Sequence, residues 1–208
     1  ITAMDSFQSE IAAAAAALVV EQGLEYGPAK RRAIKSLGLP VRSALPDNAS
    51  VEAAVREHIA LYCGDTQPVE LAALRVLALE WMERMADFRP HLAGAVWQGT
   101  ATRLSDIYIQ LFCDDSKAAE ISLINHHTDY EPRSVVGFHG EAVEALSLHA
   151  DCPALKETVG VHLMIYDYDD MRIKGRQSVA VSGNRAGGMA QASRGDLAAV
   201  RKLVEAQA

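Results

Sequence analysis

Cysteine is scarce in this chain: its 208 residues include three, Cys63, Cys113 and Cys152, an odd and widely spaced set without a C-x-x-C pair. That usage excludes a disulfide framework and a zinc knuckle, and it fits a reducing cytoplasm. A long hydrophobic run is also missing. The most apolar stretch, Ile11 to Val20, spans ten residues between Glu10 and Glu21. This is about half of what a bilayer crossing needs, and it lacks the basic flank of a secretion signal, so neither a membrane partner nor export is expected. There is no basic excess either, since 20 Lys and Arg stand against 27 Asp and Glu, a net charge of −7. A surface of that sign disfavours nonspecific nucleic-acid binding by the molecule as a whole. None of the histidines stands at zinc-motif spacing, and Gly183-Asn184-Arg185-Ala186-Gly187-Gly188 lacks the Gly-Lys-Ser/Thr ending of a P-loop.

What is present is half hydrophobic by count, and at this length a folded domain hides about 70% of the surface its unfolded chain exposes. Ile1-Thr2-Ala3 reads as a remnant ahead of a native Met4. The first third reads as helices. Asp5 with Gln8 forms a capping-box pattern before an alanine-rich run that Gly23 stops. A second helix runs from Pro28 to just before Gly38, and a third is capped by Ser50 and carries Val51, Val55 and Ile59 on one face. In a fourth, Leu71, Leu74, Ala78, Trp81, Met85 and Phe88 recur at spacings of three and four, the mark of a core stripe.

Pro90 changes the regime. Ala93 to Trp97, Ile107 to Phe112, Arg133 to His139, Ala142 to His149 and Val159 to Tyr166 read as strands, with Gly140-Glu141 as a two-residue hairpin turn. Asp114-Asp115-Ser116 caps a helix between the second and third of these, and Asp196 opens a last short one. The charge is uneven: Lys30, Arg31, Arg32, Lys35 and Arg42 cluster without a nearby acid, and Arg172 to Lys202 holds seven basic residues against Asp196 alone. The divisions expected are a helical region over 1–65, a core over 66–172, and a basic flexible loop with a C-terminal helix over 173–208.

Chemistry concentrates in Gly94-Ala95-Val96-Trp97-Gln98-Gly99-Thr100-Ala101-Thr102-Arg103-Leu104-Ser105-Asp106-Ile107-Tyr108-Ile109. A glycine-bearing turn after a strand lets backbone N–H groups approach a phosphate closely. In the strand that follows, Asp106, Tyr108, Gln110 and Phe112 face one way and Ile107, Ile109 and Leu111 the other, a platform with one polar face. In phosphoryl transfer, carboxylates on such a platform hold divalent cations.

This segment resembles the signature of the nucleotidyltransferase superfamily, the DNA polymerase β-like fold, in its minimal members: Gly-Ser-x-Ala-Arg-Gly-x-Ala-x-x-x-Ser-Asp-Ile-Asp-Leu. Gly94, Gly99, Ala101 and Ser105-Asp106-Ile107 fall on the matching positions without a gap. Among the positions where the chain departs from the pattern are Ala95, Gln98 and Tyr108, where the family has serine, often arginine, and its second aspartate. The resemblance implies an α+β fold with a small mixed sheet flanked by helices. It further implies a nucleoside triphosphate bound with Mg²⁺ or Mn²⁺ and a nucleotidyl group passed to a hydroxyl acceptor, RNA, protein or another. Asp106 and Glu144, the latter standing for the family's third carboxylate, would hold metal and act in catalysis, with Glu120 the runner-up and His139 a neighbour of Glu144. Gly94, Gly99, Thr100 and Ser105 would contact the nucleotide. Because a phenol is neutral at pH 7 and a poor ligand for a hard cation, two other expectations stand beside this one. One is a degenerate member that binds a nucleotide or partner without transfer, and the other is an interaction protein that uses the basic segments on RNA or another anion.

Overall fold

The structure, a computed structural model, describes residues 3–137, 142–172 and 194–207. The fold is α+β. Contacts divide it into two compact units, one comprising Ile1–Glu70 with Thr100–Leu104 and the other Leu71–Gly99 with Ser105–Ala208. The expected turn at Gly140-Glu141, His139 and the glycine-rich stretch 183–188 lie outside the described residues.

The first unit is helical: α1 (Ala3–Gln22), α2 (Tyr26–Ser36) and α3 (Asn48–Tyr62). Small residues on α1 allow close approach, and Ile11, Ala15, Ala16 and Val20 are buried with Ala29, Ala33 and Ile34 of α2 and Val51, Val55 and Ile59 of α3. Each fully buried valine or isoleucine contributes about 1.5–3 kcal/mol of transfer free energy, so this stripe holds the bundle. Asp47, rather than Ser50, caps α3, its carboxylate accepting the Ser50 amide at 2.7 Å. Both residue types cap well, and the chain enters the helix one turn earlier than the apolar period suggests. Thr100–Leu104 returns to this unit, where Gln67 Nε2 donates to the Ala101 carbonyl at 2.8 Å.

The second unit continues α4 (Gln67–Arg84), whose stripe Leu71, Leu74, Ala78 and Trp81 is buried, while Met85, buried, and Phe88, half-buried, lie beyond the helix end. Then follow β1 (His91–Ala93), α5 (Gly94–Gln98), β2 (Ile107–Cys113), α6 (Ser116–Asn125), β3 (Glu131–Val136), β4 (Ala142–Cys152), β5 (Glu157–Asp167), β6 (Arg194–Asp196) and α7 (Leu197–Glu205). The expected strand at Ala93 to Trp97 is mostly helix. At φ +69° Gly94 takes the left-handed conformation, which ends the extended run at Ala93 and turns the chain into one short helical turn.

Among the described residues the strands form a six-stranded mixed sheet in the order β3-β4-β5-β2-β1-β6, in which β2 and β5 are parallel and the other neighbours antiparallel. One face is apolar: Ile107, Ile109 and Leu111, Val161 and Leu163, and Leu146 and Leu148 are buried there, and α6 packs against β2 and β5. At one edge lies β3, with Pro132 between exposed Glu131 and Arg133. Ser134 stands opposite Glu144, and the described pairing runs to Val136–Ala142. This register sets Val135 against Val143 and Pro132 against Leu146, matching apolar with apolar across the pair.

Candidate functional site

The opposite, polar face of the sheet is where Asp106 stands. In the parallel β2–β5 pair Tyr108 is beside His162, and in the β4–β5 pair Ser147 is beside His162. Residues paired in register share a face. Tyr108, His162 and Ser147 therefore form a row across three strands, and Asp106, one residue ahead of β2, comes level with Gly160.

Hydrogen bonds link this row into a chain. Ser147 Oγ lies 2.8 Å from His162 Nδ1, and His162 Nε2 lies 3.1 Å from Asp106 Oδ2. With a neutral imidazole, Nε2–H donates to the carboxylate while Nδ1 accepts the serine proton. With an imidazolium, both nitrogens donate and the serine hydroxyl rotates to accept. The Tyr108 ring stacks on the imidazole, centroids 4.9 Å apart and planes at 28°. Gly160 permits the close approach: a Cβ there would sit 2.5 Å from Asp106 Oδ1.

These donors tune the carboxyl. The hydrogen bond from His162 is the largest cause of a pKa below the ordinary range, assisted by the Gly160 amide and the nearby His149, and opposed by partial burial. At neutral pH Asp106 is an anion. Exposure rises along the chain from Ser147, 6% exposed, through the His162 side chain at 15% to the Asp106 side chain at 48%. The accessible end is thus the carboxylate. A serine nucleophile would need the reverse order, with the hydroxyl outermost and the acid buried behind the imidazole.

Glu144 is elsewhere. Ala145 and Ser147 belong to the polar face, so strand alternation sends Glu144 to the opposite face with Leu146 and Leu148. There Lys117 of α6 binds Glu144 at 3.2 Å and Glu120 at 2.9 Å, and Tyr130 donates to Glu120 at 2.8 Å. The two acids considered for the third carboxylate thus meet each other across a lysine, and neither meets Asp106. This corrects the expected pairing of Asp106 with Glu144; the physical reason is that Glu144 stands an odd step of three positions from Ser147, which shares the face of Asp106.

The other expected contacts are dispersed. Gly94 and Gly99 bracket α5, a span of about 7.5 Å at helical rise. The Gly94 end lies against Tyr108, where a Cβ would come 3.5 Å from the ring, while at Gly99 a Cβ would come 3.5 Å from the Arg75 guanidinium. Arg75 is buried and donates to the carbonyls of Val96 at 3.1 Å and Trp97 at 3.4 Å, closing the helix end, and burial lowers its pKa. Ser105 is half-buried, immediately before Asp106. Thr100 is buried in the helical unit, which removes its hydroxyl from contact with a phosphate arriving from solvent.

Among the described residues no group of three or more His, Cys, Asp or Glu side chains is placed to hold a metal ion. With Glu144 on the far face and Tyr108 in place of a carboxylate, the residues present do not fit a resident Mg²⁺ or Mn²⁺, which favours several oxygen ligands converging on one point. His162 and Ser147 were not singled out in the sequence. Their signal is the alternation of Gly160, His162, Met164 and Tyr166 against Val161, Leu163 and Ile165, which becomes informative only once β5 is known to lie beside β2. No helix of the described residues is long and apolar enough to cross a membrane. The chain matches none of the family models, curated proteins or solved structures compared with it.

Proposed function

We propose that this protein is a nucleotidyltransferase-like binding module that does not transfer a nucleotidyl group, and that its polar sheet face takes the nucleoside part of a nucleotide. The observation that carries the reading is the chain Ser147–His162–Asp106, which occupies the place where transfer would need converging carboxylates. An anionic, half-exposed carboxylate accepts N–H or O–H donors, such as a base edge or a ribose diol, and repels a bare triphosphate. The spacing of Gly94, Gly99 and Ser105-Asp106-Ile107 supports the nucleotide class.

Calorimetry with nucleosides and nucleoside triphosphates, each with and without Mg²⁺, tests it. A nucleoside binds, and binds more tightly than its metal-free triphosphate; Asp106→Ala removes the binding. Incubation with labelled triphosphate and Mg²⁺ yields no pyrophosphate. Release of pyrophosphate that depends on Asp106 would restore the transferase reading, and absence of nucleoside binding at millimolar concentration would remove the binding one.

A further inference from the structure

The helical unit carries a second feature, independent of the sheet face. Between the first turns of α1 and the segment after α2 lies a cavity of about 290 Å³, walled by Phe7, Ile11, Leu39, Pro40 and Ala44, with Gln8 and Ser43 as its polar members. Ligand pockets for whole small molecules run from about 300 to 1,000 Å³, so this one sits at the bottom of the range and suits a single large side chain.

Its surroundings are cationic. Arg42 lies in sequence between the wall residues Pro40 and Ser43, and Lys35 is joined to the same segment by the hydrogen bond from the Gly38 amide to its carbonyl. Arg31 and Arg32 add to the exposed side of α2, opposite Ala29, Ala33 and Ile34. The side chains of Arg31, Arg32, Lys35 and Arg42 have no hydrogen-bond or ion-pair partner among the described residues, whereas the Lys30 ammonium is held by the Pro46 carbonyl and Asn48. Glu10, on the flanking turn of α1, is the acid nearest the wall residues in sequence. The rim also exposes apolar surface: Val41 is 93% exposed and Phe7 50%.

We infer that this groove seats one bulky apolar side chain of an acidic peptide segment from a partner protein, with Arg42 and Lys35 pairing with the flanking carboxylates. The concavity favours a protruding side chain over a lipid surface, which engages convex apolar patches. Successive bases need several aromatic rings to stack on, and Phe7 is the one aromatic among the wall residues, which disfavours RNA. Desolvated apolar anchors ringed by opposite charge are the usual source of affinity in such docking, and the charged ring makes it salt-sensitive.

The test uses a fluorescein-labelled peptide with a tryptophan set among glutamates, read by fluorescence anisotropy on the full chain. Binding is expected, weakening as salt rises. Two variants at exposed positions probe the two halves: Arg42→Glu reverses the rim charge, and Ala44→Trp fills the groove. Each weakens binding at least about tenfold, a change well above error in Kd, while circular dichroism stays that of the parent. Peptides with lysine for glutamate, or alanine for tryptophan, bind at least about tenfold more weakly. Equal binding by the Ala44→Trp variant, or by the alanine peptide, overturns the proposal. So does stronger capture by phosphatidylglycerol vesicles or by single-stranded RNA that the peptide does not displace. Because none of these residues belongs to the sheet face, nucleoside binding by the same variants stays unchanged.

Discussion

Adding one methyl group at Gly160 should uncouple Asp106 from His162. In Gly160→Ala the new Cβ would stand 2.5 Å from Asp106 Oδ1, 2.8 Å from Cγ and 3.2 Å from Oδ2. Ordinary contacts begin several tenths of an ångström farther out, so the carboxylate must withdraw. The His162 Nε2–Oδ2 distance is already 3.1 Å, and a shift of roughly 0.5–1 Å takes it beyond hydrogen-bond range. A hydrogen bond to a charged group contributes about 1.5–3 kcal/mol, and water reaching a half-exposed carboxylate recovers part of that. The alanine also restricts the unfolded chain, offsetting about 0.4–1 kcal/mol. A net loss of about 1 kcal/mol follows, read as a lower urea midpoint with unchanged slope. A double-mutant cycle with His162→Asn is the sharper reading. In the parent background His162→Asn is destabilising; in the Gly160→Ala background the same change costs little, because the bond is already gone. If Gly160→Ala keeps full stability and His162→Asn costs the same in both backgrounds, the close approach inferred at Asp106 is wrong.

Acid should distinguish Asp106→Asn from the parent. The folded-state pKa of Asp106 lies below its ordinary value of 3.8, so the carboxylate contributes stability that is present above that value and is lost as pH falls through the lower, folded one. Urea midpoints will therefore fall less steeply with acidification in Asp106→Asn than in the parent, and parallel curves would contradict the assignment. Arg75→Ala leaves the Val96 and Trp97 carbonyls at the end of α5 without their buried donor, a loss of about 2–3 kcal/mol by chemical denaturation. A change of a few tenths would mean that the guanidinium does not hold α5.

The elements with a local period were legible. The α4 stripe and the alternation of β2 each repeat within a few residues, so one face could be assigned without knowing any neighbour. Asp115 and Asp196 cap α6 and α7 through amides at Lys117 and Ala199, as their residue type before an apolar run suggests. α5 was not legible, since five residues make too little of a period to outweigh β-favouring Val96 and Trp97, and only the left-handed Gly94 reveals the break. Glu144 was misplaced because its face relative to Asp106 is set by the β4–β5 and β2–β5 registers, where an odd slip exchanges the two sides of a strand. His162 was invisible for a deeper reason. Its partner Asp106 is 56 residues away in sequence, and a parallel pairing across an intervening helix and hairpin leaves no signature in either segment alone.

Pro132 has a bearing on how copies of this protein can associate. A proline on an outermost strand withholds one rung of the ladder that an incoming strand would climb, and the charges of Glu131 and Arg133 on either side must be desolvated by any chain laid against it. Self-assembly by continuous β-pairing from one molecule into the next is thereby discouraged at the β3 edge.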